Sequence, residues 1–338
     1  MNKTSIISSI LIAKINLQLF SASEATLSPN KTSQNSMSPS MKTFYDTALL
    51  ENARDALIFD QFAEHQKIHG NSVEFRKFDT FPLALTPITE GVTPTGQSFG
   101  MTRITADTTQ HGDYVTVTDR LEYEAYDDII YGATTEMGAA GGKTKDVLTR
   151  NVITAGNSVA YAPTSAGVEV TSRAGLSDTC LLTPALINRA RTWLVKNNAP
   201  KINGWFVCIL HPSVAEDFRN SAEWKEYHKY NDTAPIFKGE IGEMHGFRFI
   251  ESNLAKVHDR GANNKPSYDT LCFGAKAFGV IEPENESMRM IIKDKKEIGG
   301  PLELYSTIGY KFSHAAIILY QERLLRIESC SSYSDPEN

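Results

Sequence analysis

The sequence predicts an α+β protein, and three observations support that prediction. Apolar residues alternate with period two on both sides of a Thr-, Pro- and Gly-rich centre between Ser72 and Leu121. From Ile130 to Ala155 they recur with the period of a helix. A short α/β segment and a β-rich C-terminal part follow. A chain of 338 residues is long enough for about two domains.

The composition is that of an ordinary globular chain, with 41% hydrophobic and 22% charged residues. The net charge is −6, and the pI is about 5.8. A broad phosphate-binding surface needs a basic face, so this balance argues against one, although a local basic strip is still compatible with it.

The N-terminal segment Met1–Ala13 faintly resembles a signal peptide, with Ser21-Ala-Ser as a cleavage site. However, polar residues interrupt it from Lys14 onward, and it is too short to span a bilayer. Residues 21–40 are rich in Ser, Asn and Pro, which predicts a flexible arm. Apolar residues at helical spacing from Phe44 to Phe62 then predict a helix that begins near Thr43 and is ended by His69-Gly70-Asn71.

The region 72–121 is predicted to be a long two-stranded excursion. Its first arm contains the apolar residues Val73, Phe75 and Phe78, and its second contains Ile104, Tyr114, Val115 and Val117. An isolated hairpin is marginal in water, so something outside the protomer must hold it. That requirement indicates an assembly protein.

Four cations lie in or beside this hairpin: Arg76, Lys77, Arg103 and Arg120. They would pair with an acid-rich neighbour across an interface. Equally, they would serve as solvated charges that discourage non-specific edge pairing.

The second periodic region predicts a helix from about residue 127 to 155, roughly 40 Å long. Gly138, Gly141 and Gly142 weaken it, which indicates either a kink or a closely packed neighbour. Beyond it, Thr183-Pro184 predicts a helix start. Strands are expected at 204–210 and 247–252, and several more from Tyr268 onward.

Motifs for chemistry are weak. The four cysteines form no C-x-x-C pair, and Cys208 and Cys272 are expected to be buried free thiols. His65 and His69 would share a metal only on a helix with a third ligand, which is not evident. His211, Ser213 and Asp217 lack any sign of the convergence that a catalytic triad needs.

Two further patterns have structural explanations. The acidic run from Asp113 to Asp128 is better explained by capping and solvation than by acid–base catalysis. The GAAGG sequence at 138–142 lacks the spacing of a dinucleotide-binding loop.

Several strings resemble a known family. TPITEGVTPTGQS at 86–98 and TRITADTTQHGDYVTVTDRLE at 102–122 resemble the major capsid proteins of tailed phages. The similarity is to the N-four-type podophages, whose capsid fold is of the Hong Kong 97 type. INLQLFS at 15–21, DVLTRNVITAGNSVAYA at 146–162, FKGEIGEMHGFRFIES at 237–252 and the strings at 45–62 and 307–329 extend the resemblance over about residues 15–330.

The resemblance implies an anatomy in seven parts. These are a leader and the start of the N-arm (1–20), the N-arm (21–70), an extended loop over an adjacent subunit (71–120), a peripheral domain with a spine helix (121–180), an axial domain (181–267), closing strands of the peripheral domain (268–330) and a disordered tail (331–338). Residues 1–13 precede the usual family start.

The same resemblance implies self-assembly and no enzymatic activity, cofactor or metal. The expected contact residues of the extended loop are Arg76, Thr86, Pro87, Thr89, Glu90, Gly91, Thr93, Pro94, Gly96 and Arg103. Those of the axial domain are Lys238, Gly239, Glu240 and Gly242. Pentamers and hexamers of the chain would enclose double-stranded DNA, with scaffold, portal and decoration proteins as further partners and no membrane.

Two alternatives stay open at this point. An encapsulin-like compartment shares the fold but encloses a protein cargo. A secreted or surface-attached β-rich protein is suggested only by the leader.

Overall fold

A computed structural model describes residues 57–68, 72–78, 83–88, 90–93, 96, 98, 100–124, 129–228, 240–258, 266–284, 287–298 and 302–333. The leader, the flexible arm and the predicted start of the helix at Thr43 therefore lie outside the described residues. Within the described parts, no helix is long and apolar enough to cross a membrane.

The described chain contains fourteen strands and six α-helices, together with short 3₁₀ turns. The strands are β1 (Glu64–Ile68), β2 (Ser72–Phe78), β3 (Met101–Asp107), β4 (Thr109–Thr118), β5 (Val159–Tyr161), β6 (Phe206–Leu210), β7 (Glu240–Met244), β8 (Phe247–Glu251), β9 (Val257–His258), β10 (Ser267–Phe273), β11 (Phe278–Pro283), β12 (Arg289–Lys293), β13 (Tyr305–Ile318) and β14 (Leu324–Ser329). The helices are α1 (Asp119–Glu124), α2 (Ile129–Thr154), α3 (Pro184–Lys196), α4 (Pro212–Asn220), α5 (Ala222–His228) and α6 (Lys295–Ile298).

A seven-stranded sheet forms the larger core. Its order is β5-β14-β10-β6-β8-β7, with β9 also paired to β10. Strand β6 is buried at every position, as its continuous apolar sequence predicts. Helix α3 begins at the predicted Thr183 cap, whose side chain accepts a hydrogen bond from the Leu186 amide. The C-terminal strands β10 and β14 thus share a sheet with the segment 181–267.

The predicted buried thiols are confirmed. Cys208 and Cys272 lie opposite each other on β6 and β10, with their sulfur atoms 3.4 Å apart and both side chains fully buried. Burial raises the pKa of the Cys208 thiol well above its ordinary value. Both cysteines are core residues, and burial keeps the Cys208 thiol protonated and unreactive.

The five-stranded sheet is centred on β13 and packs against α2. Its order is β1-β11-β13-β12, and β4 pairs with the other edge of β13. Of the two explanations expected for the α2 glycines, the close neighbour is confirmed at Gly141, because a Cβ there would lie 3.0 Å from Met288 Cε and 3.3 Å from Tyr310 Cδ2. Buried Met137, Ile308 and Phe312 belong to the same cluster.

The structure confirms only the first part of the predicted hairpin. β2 pairs with β3 in antiparallel register from Ser72↔Asp107 to Phe78↔Met101. The expectation that the second arm continues through Val117 is wrong, because β4 pairs over its whole length with β13, from Thr109↔His314 to Thr118↔Tyr305. Period two identifies a strand but not its partner, and here a distant strand offers the larger buried surface.

A second correction concerns the segment after Leu57. The predicted helix does not reach its expected end, since Asp60–Phe62 is a single 3₁₀ turn and Glu64–Ile68 is a strand parallel to β11. His65 is therefore on a strand, which removes the helical spacing that a shared metal with His69 would require. His69 itself lies outside the described residues.

Candidate assembly surfaces

The β2–β3 ribbon has one face that is anchored to the protomer. Val73 is buried against Ile281 and Ala315, and Phe75 packs beside it. The close approach of Phe75 requires Gly279, since a Cβ there would lie 3.2 Å from the Phe75 ring. The base of the ribbon is thus held by its own chain, and the prediction that it needs a support outside the protomer is wrong for this part.

Lys77 extends this anchored face. Its ammonium lies 3.4 Å from both carboxylate oxygens of Glu322 and 4.9 Å from the ring centre of Tyr320. The guanidinium of Arg323 lies 3.8 Å from the centre of the same ring. A cation–π contact and an ion pair together fix this part of β2 to the turn between β13 and β14.

The other face of the ribbon is exposed. It contains the predicted contact residues Arg76 and Arg103, which lie directly opposite each other in the β2–β3 register. Glu74 is their shared partner, with its Oε1 2.8 Å from Arg103 Nε and 4.0 Å from Arg76 Nε. The structure therefore brings these two predicted site residues together.

Beyond the ribbon, the described parts of 83–98 are exposed throughout. Thr86, Pro87, Glu90, Gly91, Thr93 and Gly96 of the predicted contact set lie here, whereas Thr89 and Pro94 lie outside the described residues. Large apolar side chains are also exposed here, namely Leu83 (81%), Leu85 (83%), Ile88 (75%) and Val92 (60%). Such a concentration of exposed apolar surface is typical of an interaction site.

Two of the four predicted contact residues of the axial domain, Glu240 and Gly242, lie within the described residues. Glu240 starts β7, but its side chain is 1% exposed and lies 2.8 and 2.9 Å from Arg248 Nη1. Gly242 occupies a β-bulge with φ of 151°, which favours glycine. Lys238 and Gly239 lie outside the described residues. Glu240 can thus hold β7 in place at the edge of the seven-stranded sheet. Its carboxylate already has Arg248 as a partner inside the protomer.

A second exposed apolar patch, which was not predicted from the sequence, lies at the end of the β4–β13 pair. It consists of Leu121, Tyr123, Leu302, Leu304 and Tyr305, which are 39–91% exposed. The backbone brings them together, because Tyr305 pairs with Thr118 and the Asp119 amide donates to the Leu304 carbonyl. No sequence pattern indicated this patch, because its two halves are distant in sequence.

A buried polar cluster joins α2 to the start of the described chain. Lys145 Nζ lies 3.1 Å from Asp60 Oδ2 and 2.6 Å from Glu282 Oε1. The next residue, Asp146, accepts backbone hydrogen bonds from Ile58, Phe59 and Asp60 at 2.8–3.2 Å. Two consecutive helix residues thus fix both the backbone before β1 and the end of β11.

Burial shifts the protonation of this cluster. It raises the pKa of Asp146 to about 6, although the three backbone donors oppose the shift. Burial alone would lower the pKa of Lys145, but the carboxylates of Asp60 and Glu282 outweigh it and raise that pKa. His314, whose Nε2 lies 3.1 Å from Thr149 Oγ1, has a pKa lowered to about 4 by burial and by Lys145.

Two groups in the described chain have metal-ligating side chains close together: Asp60, His65 and Glu282, and His258, Asp269 and Glu328. In the first, Lys145 already bridges the two carboxylates. In the second, Arg173 forms a two-pronged ion pair with Glu328, and His258 pairs with Asp269 at 2.9 Å. Ion pairs within the protein account for the charge in both groups.

The triad pattern is not assembled. His211 Nδ1 lies 3.1 Å from Ser213 Oγ and also accepts a hydrogen bond from the Ser213 amide, as in a helix cap. Asp217 does not join this pair, because it accepts hydrogen bonds from Ser331 and Ser332. In the acidic run, Asp119 pairs with Lys295 and Glu124 with Arg120. Both carboxylates are exposed, which agrees with the solvation predicted for the run, whereas the contacts themselves are ion pairs and not helix caps.

Comparison with known proteins gives this architecture a family context. A model of the family described as phage capsid protein matches residues 123–280. The capsid of Ralstonia phage GP4 has a TM-score of 0.64 at 15% identity, over 83% of this chain and 90% of that one. The cyanophage Pam1 capsid has a TM-score of 0.63 at 12% identity, over 93% and 99%. The chain has a phage capsid fold.

The capsid of cyanophage P-SCSP1u is similar to the same extent, with a TM-score of 0.63 at 16% identity, over 82% of this chain and 89% of that one. The Hong Kong 97-type fold predicted from the sequence is thus confirmed. A search of curated protein sequences finds no match.

One encapsulin structure is also similar to this chain. The SrpI encapsulin of Synechococcus elongatus PCC 7942 has a TM-score of 0.53 at 9% identity, over 82% of this chain and 89% of that one. The family model matches residues 123–280, and the phage capsids named above have higher TM-scores than this encapsulin.

Proposed function

We propose that this chain is the major capsid protein of a tailed phage of the N-four-type podophage group. It assembles in the host cytoplasm into pentamers and hexamers, which tile the icosahedral head of the virion around double-stranded DNA. The observation that supports this most is the β2–β3 ribbon with its exposed apolar continuation, projecting from a body with a phage capsid fold.

The work of such a protein is geometric rather than catalytic. Different surfaces of neighbouring copies meet head to tail, so that contacts close into rings and the rings tile a shell. Obligate interfaces of this kind bury about 2,000–5,000 Å². The ribbon and the segment 83–100 supply contact area without a large core, and the patch around Tyr123 adds a second apolar surface.

The proposed anatomy follows the resemblance. Residues 21–70 form the N-arm, 71–107 the extended loop, 109–180 and 268–330 the peripheral domain, and 181–267 the axial domain, whose sheet also includes β10 and β14. Lys238, Gly239, Glu240 and Gly242 lie at the capsomer axis, where the buried ion pair between Glu240 and Arg248 holds the start of β7 in place. Scaffold, portal and decoration proteins are further partners, and no cofactor is required.

Electron microscopy of the purified protein tests this function. It is expressed from Met1 and from a start just before Ile15, sized by chromatography and imaged. Rings of five or six, tubes or closed shells from either start are expected. Protein from both starts that stays monomeric at high concentration, even with the phage's other head proteins, would overturn the proposal.

The contents of native particles separate the phage head from the encapsulin-like compartment. Nuclease-protected double-stranded DNA is expected inside particles purified from lysed host cells. Particles that instead contain one tightly bound cargo enzyme and no DNA would favour the compartment.

A further inference from the structure

The two faces of the β2–β3 ribbon have different uses. Val73, Phe75 and Lys77 alternate along the anchored face and contact the protomer. Glu74 and Arg76 point to the other face, together with Arg103 of β3. Strand geometry therefore separates a side that the protomer already uses from a side that it leaves exposed.

The exposed side has an unfavourable arrangement of charge. Arg76 and Arg103 occupy directly opposed positions, and like charges in such pairs destabilise a sheet. Their side chains are 61% and 66% exposed. In the described part of the chain, Glu74 is the one carboxylate that contacts either of them, and both contacts use Nε. One carboxylate for two guanidinium groups leaves the pair with an excess positive charge.

We infer that Arg76 and Arg103 together bind a carboxylate on a second copy of this chain. This inference rests on the proposed function and identifies the chemistry of one of its contacts. Guanidinium groups bind carboxylates in a two-pronged geometry through two of their three nitrogens. The second copy is the fitting partner because the chain contains 40 acidic against 34 basic residues, so its surface supplies carboxylates in excess.

A substitution separates this role from a role within the ribbon. Arg76→Glu places a carboxylate directly opposite Arg103, which converts a repulsive cross-strand pair into an attractive one. If the arginines serve only the ribbon, the variant assembles as well as the wild type or better. If they bind a carboxylate of another copy, the critical concentration for shell assembly rises at least tenfold, and the protomer keeps its circular dichroism spectrum and thermal midpoint.

Cross-linking then identifies the partner. Arg76→Lys and Arg103→Lys each introduce an amine that a carbodiimide joins directly to a nearby carboxylate. Shells are assembled from equal amounts of ¹⁴N- and ¹⁵N-labelled protein, and mass spectrometry finds cross-links that join one light and one heavy chain. We expect such mixed cross-links from position 76 or 103 to one defined Asp or Glu.

Arg189→Lys is the matched control. Arg189 is also exposed, and Glu169 of its own chain lies 2.8 Å away, so its cross-links should join residues of one chain. Shells in which positions 76 and 103 are cross-linked only to Glu74 of the same chain would overturn the inference, as would normal assembly of Arg76→Glu. So would loss of bound nucleic acid from Arg76→Glu with assembly unchanged, since the pair would then bind phosphate. Failure of the wild type to assemble would instead count against the proposed function.

Discussion

The ammonium of Lys145 lies 2.6 Å from the carboxylate of Glu282, which joins the long helix α2 to the end of β11. The same ammonium reaches Asp60, just before β1. Since β1 pairs in parallel with β11, one lysine side chain fixes the helix, the edge of the five-stranded sheet and the segment that leads into it. This cluster sets where the N-terminal part of the chain meets the body.

Replacing this lysine should destabilise the protomer. Lys145→Met leaves the buried carboxylate of Asp60 and the partly exposed one of Glu282 without their cation. We expect the free energy of unfolding to fall by about 3 kcal/mol, which is the lower end of the range observed when one partner of a buried ion pair is removed. Urea unfolding followed by tryptophan fluorescence measures it. Lys143→Met, on the exposed side of α2, is the control and should change stability by no more than about 0.5 kcal/mol.

Asp146 should give the protomer a specific dependence on pH. Its folded pKa of about 6 lies above the ordinary 3.8, so the folded state binds the proton more tightly. The stability from this group is fully present below pH 3.8 and is lost as pH rises through 6. Asp146→Asn keeps an acceptor for the three amides but does not titrate.

The measurement is the difference in unfolding free energy between Asp146→Asn and the wild type from about pH 4 to pH 8. The difference should move in favour of the variant as pH rises, by an amount on the order of 3 kcal/mol. His314, whose lowered pKa acts in the opposite direction, is present in both proteins and cancels. A difference that does not vary with pH would show that the Asp146 carboxyl is not shifted.

How far the sequence predicts this fold depends on the range of the interactions. The α2 helix, the strand β6 and the Thr183 cap were predicted well because their signals lie within a few residues. The pairing of β4 was not predicted correctly, because the period-two pattern of a strand does not show whether it pairs with β3 or with β13. The cluster at Lys145 joins residues 85 and 137 positions apart, and a single sequence contains no signal for such a pair.

The candidate surfaces show the same limit. Arg76 and Arg103 were singled out as cations beside a hairpin, but their face-to-face placement appears only with the register. Glu240 matched a family string, yet its carboxylate lies inside the protomer beside Arg248. A partner on another copy leaves no pattern in the sequence of one chain, so the contacts themselves remain predictions.

Gly309 should be intolerant of any side chain. It lies on β13 opposite Tyr114, and a Cβ there would be 2.8 Å from the Asp113 carbonyl oxygen and 2.8 Å from Tyr114 Cβ. Gly309→Ala must therefore push β4 away from β13, at a cost of about 1–3 kcal/mol. Thermal unfolding monitored by circular dichroism should show a lower midpoint.

Gly132→Ala is the control for that change. Gly132 lies on α2, and no atom comes within 4 Å of the place that a Cβ would occupy, so alanine should stabilise the helix by about 0.5–1 kcal/mol. Opposite signs for the same substitution are expected because one glycine is needed for close strand packing and the other is not. A stabilising effect at both positions would contradict the packing of β4 on β13.

The exposed continuation of the ribbon should be needed for assembly and not for folding. Deleting Thr89–Gly96 removes residues whose described members contact no core cluster. The protomer should remain soluble with an unchanged thermal midpoint, while electron microscopy shows no closed shells.

A companion variant replaces the same residues with a Gly/Ser segment of equal length. If the Gly/Ser variant assembles, only the length of the segment matters for assembly. If it does not assemble, the side chains of Thr89–Gly96 form the contact between subunits. Normal shells from the deletion itself would show that neither is required, and the segment would then have no part in joining subunits.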